Sequence, residues 1–520
     1  MLDTTQLLIL GVIAALGYVV FNGYGSRHDP REPPMVTSGI PIVGHMFGML
    51  RHGVGHWGNQ AKKHPQHPII GLDMLFTKFY VISSPDLMQA VQRNSKTISF
   101  EPLLLFGAKN ISGISDPKTL DILKGTESGG QGLGAKIMHS MTPTLVGKSL
   151  DQMNIRMVQL MRPFIDRMGE TSTVDLYEWC RDATMAASTD ATYGPLNPYK
   201  EREIQDAWWD FENGLGPLMA NTLPWLTARK PWKGREKVAK AILKYLQANG
   251  AENASDLTAV RLKESTEGGL TMEEYSQLEV GMLIAFVSNT IPAMFWCLFD
   301  IYSRPQLLDE LRKEVEGNAL SVAADGTHNI DLAAIRESCP LLISTFQEVL
   351  RTRSNSSPTR LVTTDTLLAD KYLLKAGNTV NMPSIPIGQR PDVWGKTAGE
   401  FDERRFMKPA QSNDQSGDKK DSRRAGGFLT FGLSPTVCPG RHFASSEILL
   451  VVAMVILRYD LAPVGGVWKE PRKDTTSMVS ITGPVLDKFP VNATPRKEYE
   501  GAEWDFHVEE GKGQFPLVIG

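Results

Sequence analysis

The sequence predicts a mainly α-helical fold with a small β portion, set behind an N-terminal transmembrane helix. Three observations predict it. Apolar residues recur at spacings of three and four in residues 84–95, 201–215, 234–250 and 304–317, the period of a helix with one buried face. Segments that read as strands are few and short: "FYVISS" at 79–84 and "KYLLKAGNTVNMP" at 371–383, the latter with a Gly-Asn turn. Residues 7–21, "LLILGVIAALGYVVF", are almost wholly apolar.

No charge occurs between Asp3 and Arg27, a window that reaches the roughly 20 residues a helix needs to span a bilayer. Arg27 and Arg31 follow it, which favours a body on the cytosolic side. A cleaved signal peptide would begin with basic residues, and here Asp3 is the one early charge. Prolines 30, 33, 34 and 41 then stiffen the chain into a short strut. The expected organisation is an anchor at 1–26, a Pro-rich strut at 27–45 and one large catalytic body at 46–520.

Composition narrows the function. The net charge of -3 supplies no basic field for nucleic acid. Four cysteines scattered over 520 residues, without a C-x-x-C pair, are not a disulfide framework. They fit a reducing compartment.

Three stretches carry candidate chemistry. Residues 278–303, "LEVGMLIAFVSNTIPAMFWCLFDIYS", suit either a second membrane span or a helix buried on all sides. Pro292 lacks the N–H that would bond the carbonyl of Ser288, so the helix should kink beside Ser288, Asn289 and Thr290 and leave polar groups in an apolar wall. Glu348 and Arg351 lie three apart on a helical segment and so share a face. The polar stretch 411–427 reads as a surface loop.

The third stretch is "FGLSPTVCPGR", 431–441, which sets Cys438 in a turn-forming loop just before a helical run. A lone cysteine can be a buried structural thiol. It can be a zinc ligand with His442, although a structural zinc site needs four ligands and no second pair is near. Or it can be a thiolate stabilised by the free N–H groups and dipole of a helix N-terminus.

Phe431, Gly432, Cys438, Gly440, Arg441 and Ala444 resemble, in identity and spacing, the haem-binding loop of the cytochromes P-450. The resemblance implies that fold, with the Cys438 thiolate as axial iron ligand and Phe431, Gly432 and Gly440 in the cofactor-binding loop. Two positions depart from the family pattern: Ser434 where Gly is usual, and Thr436 where a basic residue usually meets a haem propionate. Haem affinity or potential is therefore expected to be unusual. Glu348, Arg351 and Arg405 (in "FDERRF") match the family's structural triad, and Arg360 matches an arginine that reaches a propionate. Asn289-Thr290 stands where the family has acid-Thr, so the implied catalytic residues are Thr290 and Asn289. The stretch "NTIPAMFW" looks most like the branch of sterol 7α-hydroxylases and prostacyclin synthase. No Trp-x-x-x-Arg haem contact is found in the first half; Lys136 and His139 stand there unassigned.

The function implied is monooxygenation of an apolar small molecule, such as a terpenoid, steroid or other secondary-metabolite intermediate in a fungal pathway. The implied cofactor is haem b, with electrons from NADPH through a cytochrome reductase. A monomer on the endoplasmic reticulum membrane, with its body in the cytosol, is the expected setting. Because Asn289 cannot release a proton as an acid does, a haem-thiolate isomerase that rearranges its substrate is the alternative. Phe286, Val287, Leu361, Met478 and Val479 are the expected pocket walls, the last two from a hairpin around "SMVSITG".

Overall fold

β-branched and aromatic residues in the first third build most of the largest sheet. The strands are β1 (Met35–Val36), β2 (Ile69–Met74), β3 (Thr77–Ile82), β4 (Ile98–Ser99), β5 (Thr359–Val362) and β6 (Thr379–Asn381), in the order β1-β2-β3-β6-β5-β4. β2 and β3 pair antiparallel, while β6 lies parallel to β3 and antiparallel to β5. Val380 is thereby placed between Tyr80 and Arg360. The computed structural model describes residues 29–38, 44–74, 77–125, 132–407, 426–510, 515 and 517. The expected anchor at 1–26 and nearly all of the loop at 411–427 lie outside the described residues.

The segment 371–383 holds two strands, as expected, but its Gly-Asn turn does not pair them with each other. Tyr372–Leu374 pairs with Thr366–Leu368, and β6 joins the large sheet. The turn, with Gly377 at φ 79°, instead passes the chain from one sheet to the other.

Helices supply the rest of the core. We label α1 (Leu133–Met141), α2 (Gly147–Asp166), α3 (Leu176–Tyr193), α4 (Arg202–Asn213), α5 (Asp256–Glu267), α6 (Met272–Phe286), α7 (Thr290–Tyr302), α8 (Pro340–Arg353) and α9 (Arg441–Arg458). α7 packs against α3, α8 and α9, and α2 packs against α3 and α9. The long apolar run is a central helix pair and not a second span: 78% of its most apolar window is buried in the protein. It begins at a capping box between Thr271 and Glu274 and breaks at Val287–Asn289, as Pro292 predicts. The break leaves Pro292 in the first turn of α7, where a missing N–H costs no helical bond.

The buried helix α9 carries one acid, Glu447, whose two oxygens accept from the Ser188 hydroxyl of α3 at 2.9 and 2.8 Å. Burial pushes its carboxyl up to about 8, so it enters the core largely protonated at neutral pH.

A second buried carboxylate organises the segment before the cysteine loop. Glu348 is fully buried and receives two bonds of 2.7 Å from Arg351, two of 3.1 and 3.2 Å from Arg405, and one of 2.9 Å from the Asp402 N–H. The guanidiniums also bond the carbonyls of Trp394, Thr397 and Ala398 at 2.8 to 2.9 Å. Rings then run in contact from Trp394 to Phe406, Phe428 and Phe431. Replacing Glu348 by Ala removes the carboxylate that both buried guanidiniums share, leaving Arg405 only the half-exposed Asp402 at 3.9 Å. Denaturant unfolding should show a loss of about 3–5 kcal/mol, against well under 1 kcal/mol for an exposed ion pair such as Arg202–Asp206.

Candidate active site

The cysteine loop is a tight hairpin, Gly432–Leu433 against Thr436–Val437. Gly432 has φ 95°, and a Cβ there would meet the Thr436 carbonyl at 2.9 Å, so the turn requires glycine. The Cys438 N–H donates to the Phe431 carbonyl at 2.7 Å, and Arg441 donates to the Cys438 carbonyl at 3.0 Å. α9 starts at Arg441, with Gly440 before it offering no side-chain cap. The first N–H groups of the helix are left for whatever lies at its mouth.

Cys438 carries exposed surface although it lies deep in the protein, because that surface faces an internal cavity. Cys180, Cys297 and Cys339 are buried outright. Burial pushes the Cys438 thiol up, while the Gly440 and Arg441 N–H groups and the Arg441 charge pull the other way. The cavity walls are mostly apolar: Met141 at the end of α1 and Leu145 just after it, Leu257 on α5, Met282 and Phe286 on α6, and Phe346 on α8. Asn289, Thr290, Ile481 and Thr482 also line it.

Arg360 is buried at an inward position of β5 and has no carboxylate partner among the described residues. Its guanidinium donates to the carbonyls of Thr359 and Leu433, both at 2.8 Å, and lies 5.5 Å from the Phe100 ring. Burial alone pulls it down to about 10. A buried cation held against the cysteine hairpin without a counterion calls for an anion from elsewhere. A thiol facing an apolar cavity, with an unneutralised guanidinium bonded to the same cysteine hairpin, fits the donor set for haem, which brings a metal, an apolar plane and carboxylates.

The structure brings Cys438, Phe431, Gly440, Asn289 and Thr290 to one cavity and places Arg360 on the cysteine hairpin. Glu348, Arg351 and Arg405 lie in their own buried cluster, apart from the cavity lining. Of the expected pocket walls, Phe286 lines this cavity; Val287, Leu361, Met478 and Val479 do not. The chain around the "SMVSITG" stretch does fold back on itself, closed by an antiparallel bridge between Lys473 and Val485, and Ile481 and Thr482 supply its contribution to the cavity. Sequence reasoning missed Glu212 on α4, which lies beside Ser288 at the helix break with its carboxyl pushed up by burial. Only the fold brings that acid to the site.

A family model described as Cytochrome P450 matches residues 33–489. A "Cytochrome P450 monooxygenase nodJ" of Hypoxylon pulicicidum is 38% identical over 98% of this chain and 100% of that protein. A "25-hydroxycholesterol 7-alpha-hydroxylase" of Rattus norvegicus is 25% identical over 72% of this chain and 90% of its own length. Among solved structures, "Retinoic acid bound cyanobacterial CYP120A1" superposes with a TM-score of 0.68 at 17% identity, covering 89% of this chain and 99% of that one.

His442, in the first turn of α9, accepts from the Phe515 N–H at 3.0 Å, and burial pulls its imidazole down to about 4. A histidine held neutral in the fold contributes stability above its unfolded pKa near 6.5, and that contribution is lost as pH falls toward 4. Urea unfolding at pH 6.5 and pH 4 should therefore show a smaller acid loss in His442→Asn than in the parent, by on the order of 2–3 kcal/mol.

Proposed function

The chain belongs to the cytochrome P450 family, and from that premise we propose that it is a membrane-anchored monooxygenase of an apolar small molecule. The family uses haem iron held by a cysteine thiolate and takes electrons from a redox partner. The observation that carries the assignment is Cys438, at the open end of α9, facing an apolar cavity that Asn289 and Thr290 of the helix break also line.

Cys438 would hold the iron, its thiolate stabilised by the Gly440 and Arg441 N–H groups and the Arg441 charge. Arg360 would bind a propionate, gaining the counterion it lacks in the protein. When bound, the haem supplies reductive activation of O₂ and delivery of one oxygen atom to a C–H bond, the other leaving as water. The apolar walls exclude bulk water and favour an apolar skeleton. Thr290, buried at the helix break, holds a water or hydroxyl proton at its Oγ1 and passes protons inward. Asn289 orients water but releases no proton.

A terpenoid or steroid-like substrate agrees with these walls and with the sterol hydroxylase among the relatives. Similarity to the fungal monooxygenase supports a place in secondary metabolism. The uncharged segment at 7–21 supports an endoplasmic reticulum anchor, and the expected NADPH–cytochrome reductase partner and monomeric state complete the proposal. Rearrangement without oxygen insertion is the competing reaction, and the amide of Asn289 in place of an acid is the observation that favours it.

The test has two parts. The reduced protein with carbon monoxide should show the far-red-shifted Soret band of a thiolate ligand, and Cys438→Ala should lose it. Product should require NADPH and reductase, and Thr290→Ala should slow its formation about 100-fold. Product formed without NADPH would contradict monooxygenation.

A further inference from the structure

The break between α6 and α7 frees Asn289 to reach across the cavity wall. Its side-chain oxygen accepts from the Ile481 N–H at 2.8 Å, across 192 residues of sequence. A backbone N–H can only donate, so the amide atom facing it must be Oδ1, and Nδ2 turns the other way. The Ile481 carbonyl is engaged as well, accepting from the Asn355 N–H just past α8 at 2.6 Å. Two residues on, the Gly483 carbonyl accepts from the Trp296 indole of α7 at 2.9 Å. A single bridge, Ser354 to Thr482, lies between them.

The segment 480–483 belongs to no strand. An isolated loop at a cavity wall normally opens at low cost, because few backbone bonds hold it. Here the anchors come from three places: the helix break, the end of α8 and the middle of α7. Two of the loop's residues, Ile481 and Thr482, face the cavity that Asn289 and Thr290 also line. The Thr482 and Ser480 hydroxyls are buried and have no hydrogen-bond partner among the described residues, so side-chain bonds do not replace the backbone anchors.

We propose that Asn289 is a positioning residue whose Oδ1 clamps the 480–483 loop as a fixed cavity wall, and so determines substrate specificity. This role needs only an acceptor at that position. It explains how an amide serves where a proton-donating acid is usual, and it separates Asn289 from Thr290 in function. Aspartate keeps the acceptor; alanine removes it and frees the loop from its hydrogen bond to the break.

The clamp concerns the protein's own bonds, so its test is independent of the reaction. Hydrogen–deuterium exchange is followed by mass spectrometry on the purified full-length holoprotein. In Asn289→Ala, peptides covering Ile481 and Asn355 should exchange about tenfold faster, the effect of losing one buried hydrogen bond. Peptides from α9 should stay at the parent rate, and Asn289→Asp should restore protection at Ile481. Once a substrate is in hand, the alanine variant should give a wider spread of product positions, which Asn289→Asp should narrow again. Unchanged exchange at Ile481 in the alanine variant would overturn the proposal. So would equal acceleration in both variants, or acceleration that extends through α9.

Discussion

One buried carboxylate, Glu348, holds together the part of the molecule on which the rest of the site depends. Two guanidiniums, Arg351 and Arg405, share it, and their remaining N–H groups bond the carbonyls of the chain between Trp394 and Glu400. Burying three charges is unfavourable unless every donor and lone pair is matched, and here the backbone supplies most of the matches. That requirement fixes an irregular stretch of chain as firmly as a sheet would. The chain of edge-on and tilted rings from Trp394 to Phe431 passes the constraint on to the residue that starts the cysteine hairpin. Cys438 is therefore presented by a loop whose foundation is electrostatic and whose upper part is packing.

Another stretch of the cavity wall is set by a different device. Pro292 cannot continue α6, so the chain restarts as α7 and leaves Val287–Asn289 outside regular helix. That short interruption places Thr290 at the cavity and lets Asn289 reach Ile481. Cys438 and the residues at the break line one cavity, and α7 and α9, each buried almost all round, pack together beside it. The buried Glu447–Ser188 contact adds a polar tie between α9 and α3.

What the sequence made legible follows from range. Helical period, the three-residue spacing of Glu348 and Arg351, and the break at Pro292 are local properties, and the structure contains each of them. Pairing between distant segments was not legible. Tyr372–Leu374 and β6 are adjacent in the chain, yet they join different sheets because β6 pairs with β3, some 300 residues earlier. The wall residues Ile481 and Thr482 reach the cavity, and the acid Glu212 reaches Ser288, through contacts that no local pattern announces. Glu447 left a signal, an acid inside the run "SSEILLVV", but its partner Ser188 did not.

The central claim is that Cys438 and the cavity it faces serve oxygen insertion into an apolar molecule. The most direct test compares metabolites, by accurate mass under ¹⁸O₂, between the source organism and a strain lacking this gene. The account predicts a precursor that accumulates in the deleted strain and is one oxygen lighter than the lost product, with that oxygen carrying the label in the parent. A precursor isomeric with the lost product, and no label gained at this step, would contradict it.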